Sequence, residues 1–155
     1  MTLSARAVDG GFRLLNGLHR ALWRLSGGRV GSRAYGLDMV ELTTIGRRSG
    51  RAHSTMLLVP LRDGERLVVV ASKGGDVRDP DWFKNVVADP RVYLRERGRV
   101  RAMEARVASP VERERLWVRA VDRYPHYERY QRRAGREIPV VVLAPTAPAS
   151  SRHRV

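Results

Sequence analysis

The chain has 155 residues, a formal net charge of +14 and no cysteine, which sets its size at one domain and excludes a disulfide framework or a thiolate metal site. Lysine occurs only at Lys73 and Lys84, so the basic surface is almost wholly guanidinium, a group suited to bidentate grips on phosphate and carboxylate. No apolar run approaches the ~18 residues of a membrane span and no signal-peptide core opens the chain, so the expected compartment is the cytoplasm.

In chain order, residues 11–25 place Phe12, Leu15, Leu18, Leu22 and Leu25 three and four apart, with Arg13, Asn16, Arg20 and Arg24 away from most of that stripe. This predicts an amphipathic helix, which packs on its own domain or lies in a membrane interface. Glycines at 27, 28 and 31 end it. From Asp38 the pattern turns to strands: one reaching Ile45, a basic turn, a second over 54–61, and a third over 66–72 after the hairpin signal Asp63-Gly64. A short helix follows over "DPDWFKNVVADP", capped by Asp79 or Asp81 and stopped by Asp89-Pro90. Two more strands flank Gly98. Ser109-Pro110-Val111-Glu112 has the capping-box pattern and opens a helix to about Arg123. A further helical turn or two carries Tyr124, Tyr127 and Tyr130 on one face, and residues 138–143 read as a buried strand. The expected architecture is α+β and mainly antiparallel. Its expected parts are an N-terminal helix and Gly-rich connector over 1–37, a sheet or barrel of about six strands over 38–143, and a disordered tail over 144–155.

Dedicated metal or nucleophile chemistry finds no support, because His19, His53, His126 and His153 lack paired-ligand spacing and no nucleophile-elbow motif occurs. Three constellations remain. In the first, Gly46-Arg47-Arg48-Ser49-Gly50-Arg51, backbone amides, a hydroxyl and guanidinium groups can converge on an anion, or simply form a solvated connection. In the second, Ala71-Ser72-Lys73-Gly74-Gly75, glycines let backbone approach a flat ligand, or make an ordinary loop. The third is the tyrosine series, an aromatic wall with hydroxyl donors or a piece of core.

"LTTIGRRSG", "RDGERLVVVASKGG", "DPDWFKNVVADPRV", "YPHYERYQ" and "IPVVVLAP" fall in the order and approximate spacing of the deazaflavin-dependent nitroreductase family, which the chain resembles over about residues 11–145. The resemblance implies a split β-barrel that binds the deazaflavin coenzyme F420 and reduces a quinone, enone or nitro acceptor. By that resemblance, Arg47, Arg48 and Ser49 hold the coenzyme's phosphate and acidic tail. His53, Ser54, Thr55, Met56, Leu57 and Leu58 form another coenzyme-contacting strand. Val70, Ala71, Ser72 and Lys73 lie beside the ring, and Asp81, Trp82, Phe83, Lys84 and Asn85 contact it from the short helix. Leu58, Tyr124, Tyr127 and Tyr130 line the substrate pocket. From the chemistry of the residues themselves, the groups expected to stabilise charge or deliver a proton are a tyrosine hydroxyl, Tyr127 first as the middle of the series, or Ser72. His53 stands where the family commonly has Arg, Met56 where it has Pro, and Leu58 where nitro-drug-reducing members have Tyr; these departures bear on nitroimidazole reduction more than on coenzyme binding.

The residues agree with what the resemblance implies: an anionic tail suits guanidinium groups in a Gly-bounded turn, and a coenzyme that transfers hydride itself needs no protein nucleophile or metal. A membrane-borne quinone would give the N-terminal helix a purpose, in peripheral contact with the inner face of the cell membrane. The rival readings are a non-catalytic F420 or lipid carrier, an FMN-binding relative of the same fold, and a nucleic-acid binder suggested by the high pI but lacking a reading element. No nucleic-acid partner is expected, and monomer and homodimer are both open.

Overall fold

The computed structural model describes residues 33–146 together with 17, 18 and 20–22. Eight strands form one antiparallel sheet: β1 (Arg33–Ala34), β2 (Leu37–Ile45), β3 (Ala52–Val59), β4 (Leu61–Asp63), β5 (Arg66–Val70), β6 (Arg91–Glu96), β7 (Arg99–Val107) and β8 (Val140–Pro145). The order is β1-β2-β6-β7-β8-β5-β4, with β3 also paired to β2. Among the described residues three α-helices interrupt it: α1 (Asp81–Ala88), α2 (Pro110–Arg123) and α3 (His126–Ala134).

The expected count of about six strands is low for two reasons. Pro60 has no amide to donate, so the stretch predicted as one strand divides into β3 and β4. The two-residue turn at Tyr35–Gly36 also adds β1 to the start of β2. The sheet passes both expected limits, since β2 begins at the buried Leu37 and β8 runs to Pro145.

The apolar run at 66–70 and its partner at 140–143 explain the layering. Leu67, Val69, Val141 and Leu143 point into the barrel with Val40, Leu42, Leu94, Met103 and the α1 side chains Trp82 and Val86. Val68, Val70, Val140 and Val142 point the other way, under α2 and α3. A strand alternates its side chains between two faces, so a continuous apolar strand must be covered twice.

Ser109 caps α2 as its spacing predicts, accepting from the Glu112 amide at 3.3 Å. The reciprocal half of the box does not form, because the Glu112 carboxylate turns to Arg106 at 2.7 and 3.1 Å. The expected aspartate cap of α1 is replaced by Pro80, with no side-chain cap.

Most of the predicted N-terminal helix and the predicted tail beyond residue 146 lie outside the described residues. Residues 17, 18 and 20–22 are helical. There Arg20, not a leucine, reaches the barrel: it donates to Glu41 at 3.3 Å and to the Ser54 carbonyl at 3.0 Å, while Leu18 and Leu22 are exposed. Arg95 also pairs with the buried Glu41, at 3.5 Å.

Ser109→Ala should cost about 1 kcal/mol and lower Tm by roughly 2–4 °C in a thermal melt, because it orphans a first-turn amide of α2.

Candidate active site

The β2–β3 hairpin ends in a turn closed by the Gly46 amide on the Arg51 carbonyl at 2.7 Å. A Cβ at Gly46 would lie 2.6 Å from Ser49 Oγ and 2.8 Å from His53 Nε2, so a larger residue there would displace these two side chains from the turn. Ser49 Oγ accepts from the Arg51 amide at 3.2 Å and lies 3.2 Å from His53 Nε2, so both of these expected coenzyme contacts are engaged in shaping the turn. Arg47 is likewise committed. Its amide and guanidinium donate to Asn85 Oδ1 at 3.2 and 3.0 Å, and it reaches Asp81 at 3.4 Å. The buried Asn85 in turn donates to Thr44 Oγ1 at 3.1 Å. This network ties the turn to α1. Arg48, Arg51 and Lys84 make no side-chain hydrogen bond or ion pair among the described residues, which leaves exposed, uncompensated cations on the turn and the neighbouring helix.

After β5 the chain makes a tight left-handed turn at Lys73–Gly75, with φ of +46°, +63° and +84°. Gly75 also admits α3, because a Cβ there would be 3.0 Å from Tyr130 Cα and O. Arg133 donates to the Gly74 carbonyl at 3.3 Å. Arg136, just past α3, holds the same loop at four points. It donates to the Ala71 and Ser72 carbonyls at 3.2 Å each, to the Asp76 carbonyl at 3.1 Å and to Asp79 Oδ1 at 2.8 Å. Inside the loop, Arg78 donates to both Asp76 carboxylate oxygens, at 3.1 and 2.9 Å. These bonds hold the Asp76 carboxyl well below the usual range, at about 2.

The tyrosines do not share one helical face. Tyr124 ends α2, Pro125 breaks the chain, and only Tyr127 and Tyr130 lie on α3. The fold still gathers them, with ring centroids 4.8 Å (Tyr124–Tyr127), 6.3 Å (Tyr124–Tyr130) and 6.4 Å (Tyr127–Tyr130) apart. Leu58, partly buried, packs against the apolar cluster that contains Tyr124 and Tyr127. The Tyr124 and Tyr130 hydroxyls share a 3.3 Å contact. Tyr127 is 3% exposed, and its hydroxyl has no hydrogen-bond partner among the described residues. Burial pushes the Tyr127 hydroxyl up, with Tyr124 and Tyr130 adding to the shift, so it stays protonated and able to donate. Burial raises Tyr124 too, followed by its bond to Tyr130.

The side chains of several other residues expected at the coenzyme turn into the protein. Trp82 fills the barrel core with Val86, and Ala71 lies there too. Met56 is buried, and Val70 belongs to the cluster under the helices. β3 alternates, so residues 53–58 cannot all face one ligand; Ser54 turns to Thr43 at 2.7 Å, while Leu57 packs on the barrel core. Phe83 stands edge-on to Trp82.

Arg136, His126 and Tyr35 were missed from sequence. His126 lies 4.9 Å from Tyr124 and stacks at 25° on Tyr130, and Tyr35 lies 5.4 Å from Tyr124. His126 was within reach, as it sits between two of the tyrosines; Arg136 and Tyr35 carry no local signal.

Arg136→Ala should cost about 3 kcal/mol, since it strands buried carbonyls and an aspartate. Arg136→Lys should recover less than half of this in thermal melts, because an ammonium cannot span the acceptors that the planar fork reaches. For Asp76, a folded pKa near 2 lies below the ordinary 3.8, so its stabilisation is complete above the ordinary value and is lost as pH falls through the folded one. The Tm difference between wild type and Asp76→Asn should therefore hold steady from about pH 5 to 8 and vanish as pH falls to about 2.

The family profile described as F420H(2)-dependent quinone reductase matches residues 16–145. An F420H(2)-dependent quinone reductase of Mycobacterium tuberculosis strain H37Rv is 36% identical over 137 residues, covering 86% of this chain and 91% of that protein. Among solved structures, an F420-H2 dependent reductase (FDR-A) is 38% identical with a TM-score of 0.61, over 68% of this chain and 92% of its own. A chain solved as a domain-swapped dimer is 32% identical with a TM-score of 0.62, over 81% and 96%. The split-barrel fold expected from sequence is thus the fold of its relatives, and the chain belongs to the F420H(2)-dependent quinone reductase family.

Proposed function

We propose that the protein uses F420H2 to reduce a quinone, with the acceptor held against the tyrosine wall. One observation carries this reading: α3, which bears Tyr127 and Tyr130, is packed directly on the Lys73–Gly75 turn and bonded to it through Arg133. The wall and the loop assigned to the coenzyme ring therefore form one rigid unit, as positioning of two reactants requires.

The cationic turn fits the coenzyme. The guanidinium groups of Arg48 and Arg51 have no partner among the described residues, so they can take up the phosphate and carboxylate charges of its tail, with Lys84 beside them on α1. Arg47, Ser49 and His53 support them by fixing the turn. When bound, the reduced deazaflavin supplies the hydride. The protein's part is to orient the acceptor and to offer protons from Tyr127 and Ser72 as negative charge develops. A buried hydroxyl without a partner costs folding stability, and in this reading that cost is recovered when the acceptor oxygen takes the bond. The exposed Leu18 and Leu22 support contact with a membrane that carries the quinone. No helix among the described residues is long and apolar enough to cross one.

Fluorescence titration with F420 and oxidation of F420H2 by menadione, a soluble naphthoquinone, test the reading. Arg48→Ala with Arg51→Ala should weaken F420 binding about tenfold or more, with a smaller effect at high salt. Tyr127→Phe should keep F420 binding and melt no lower than wild type, while kcat falls about tenfold or more. Wild type that binds F420 but never reduces a quinone would instead be a carrier, and wild type that binds FMN in its place would overturn the coenzyme assignment.

A further inference from the structure

The β1–β2 connection is the two-residue turn Tyr35–Gly36, closed between Ala34 and Leu37, with φ of +54° and +74°. Positive φ at both central residues is the type I′ geometry, whose first position favours Asn, Asp or Gly because a larger side chain strains the left-handed backbone. Arg33 holds this conformation by donating to the Gly36 carbonyl at 3.0 Å.

Arg97 has the same conformation in the Arg97–Gly98 turn, so the backbone alone assigns nothing. The side chains differ. That of Arg97 makes no ion pair or ring contact among the described residues. The Tyr35 ring lies 5.4 Å from Tyr124 and 6.3 Å, edge-on, from His126, yet Tyr35 is 74% exposed. One part of the ring lies on the wall and the rest is free. A strained residue that extends a ligand-facing surface is a signature of function.

We propose that Tyr35 is a fourth aromatic of the acceptor wall, a specificity-determining residue whose free surface contacts the quinone ring lying against Tyr124 and Tyr130. This rests on the acceptor reading above and adds to it a residue from the β1–β2 turn, distant in sequence from the other tyrosines. Its strain is kept because the ring is needed there, which predicts opposed effects on stability and acceptor binding.

The test compares wild type, Tyr35→Asn, which suits the left-handed turn, and Tyr35→Phe, which keeps the ring. Tyr35→Asn should melt roughly 2–4 °C higher and bind F420 as wild type does. Its KM for menadione should rise about three- to tenfold, with kcat within about twofold. Tyr35→Phe should keep KM within about twofold of wild type. An unchanged KM in Tyr35→Asn beside an active wild type overturns the contact, and a lower melt overturns the strain argument. A wild type that binds F420 without reducing menadione overturns the acceptor reading itself, and this inference with it.

Discussion

The pairing of β5 with β8, covered on both faces, is the constraint on which the rest of the structure depends. Leu67, Val69, Val141 and Leu143 close the barrel interior, while Val68, Val70, Val140 and Val142 present an equally apolar outer face that water cannot be allowed to reach. α2 and α3 must therefore lie on that face. Once they do, the chain leaving β5 emerges beside α3, and the Lys73–Gly75 turn meets Tyr130 at a distance that only glycine at position 75 permits. The proximity of the Lys73–Gly75 turn and the tyrosine cluster thus follows from hydrophobic burial.

Much of the excess positive charge works inside the protein. Arg136 spans a loop, Arg47 ties a turn to a helix, Arg20 and Arg95 neutralise the buried Glu41, and Arg62 bridges Asp38 and Glu96. The guanidinium suits such work because its planar donors satisfy several carbonyl or carboxylate oxygens at once. On the β2–β3 turn and the neighbouring α1, the cations whose side chains have no partner among the described residues are Arg48, Arg51 and Lys84. Net charge alone overstates the binding surface, and the ion-pair geometry corrects it.

The tyrosine wall shows a different economy. Tyr124 and Tyr130 share their hydroxyls, whereas Tyr127 has none to share with among the described residues and lies among apolar side chains. A protein selected for stability alone would favour phenylalanine there, and asparagine or glycine at position 35. Both positions sit on one aromatic cluster, and local strain of this kind gathers where a surface serves a ligand.

The sequence by itself determined the elements and their chemistry. Alternation and apolar runs marked the strands, the Ser109 cap marked α2, and five ordered motifs carried the family, its fold and its coenzyme, because those signals are local or lie in fixed order along the chain. Only the tertiary structure decided which side chains remain available. Arg47 and Arg48 are neighbours of identical type, yet one is bound to Asn85 across 38 positions and the other has no side-chain partner among the described residues. Trp82 turned inward although its neighbour Lys84 turned outward, since a helix on a barrel buries one face. Tyr35 joined Tyr124 across the fold, and Arg136 reached back to Ala71, 65 positions earlier. Such partnerships depend on how sheet and helices close around a core, and no spacing along the chain encodes them.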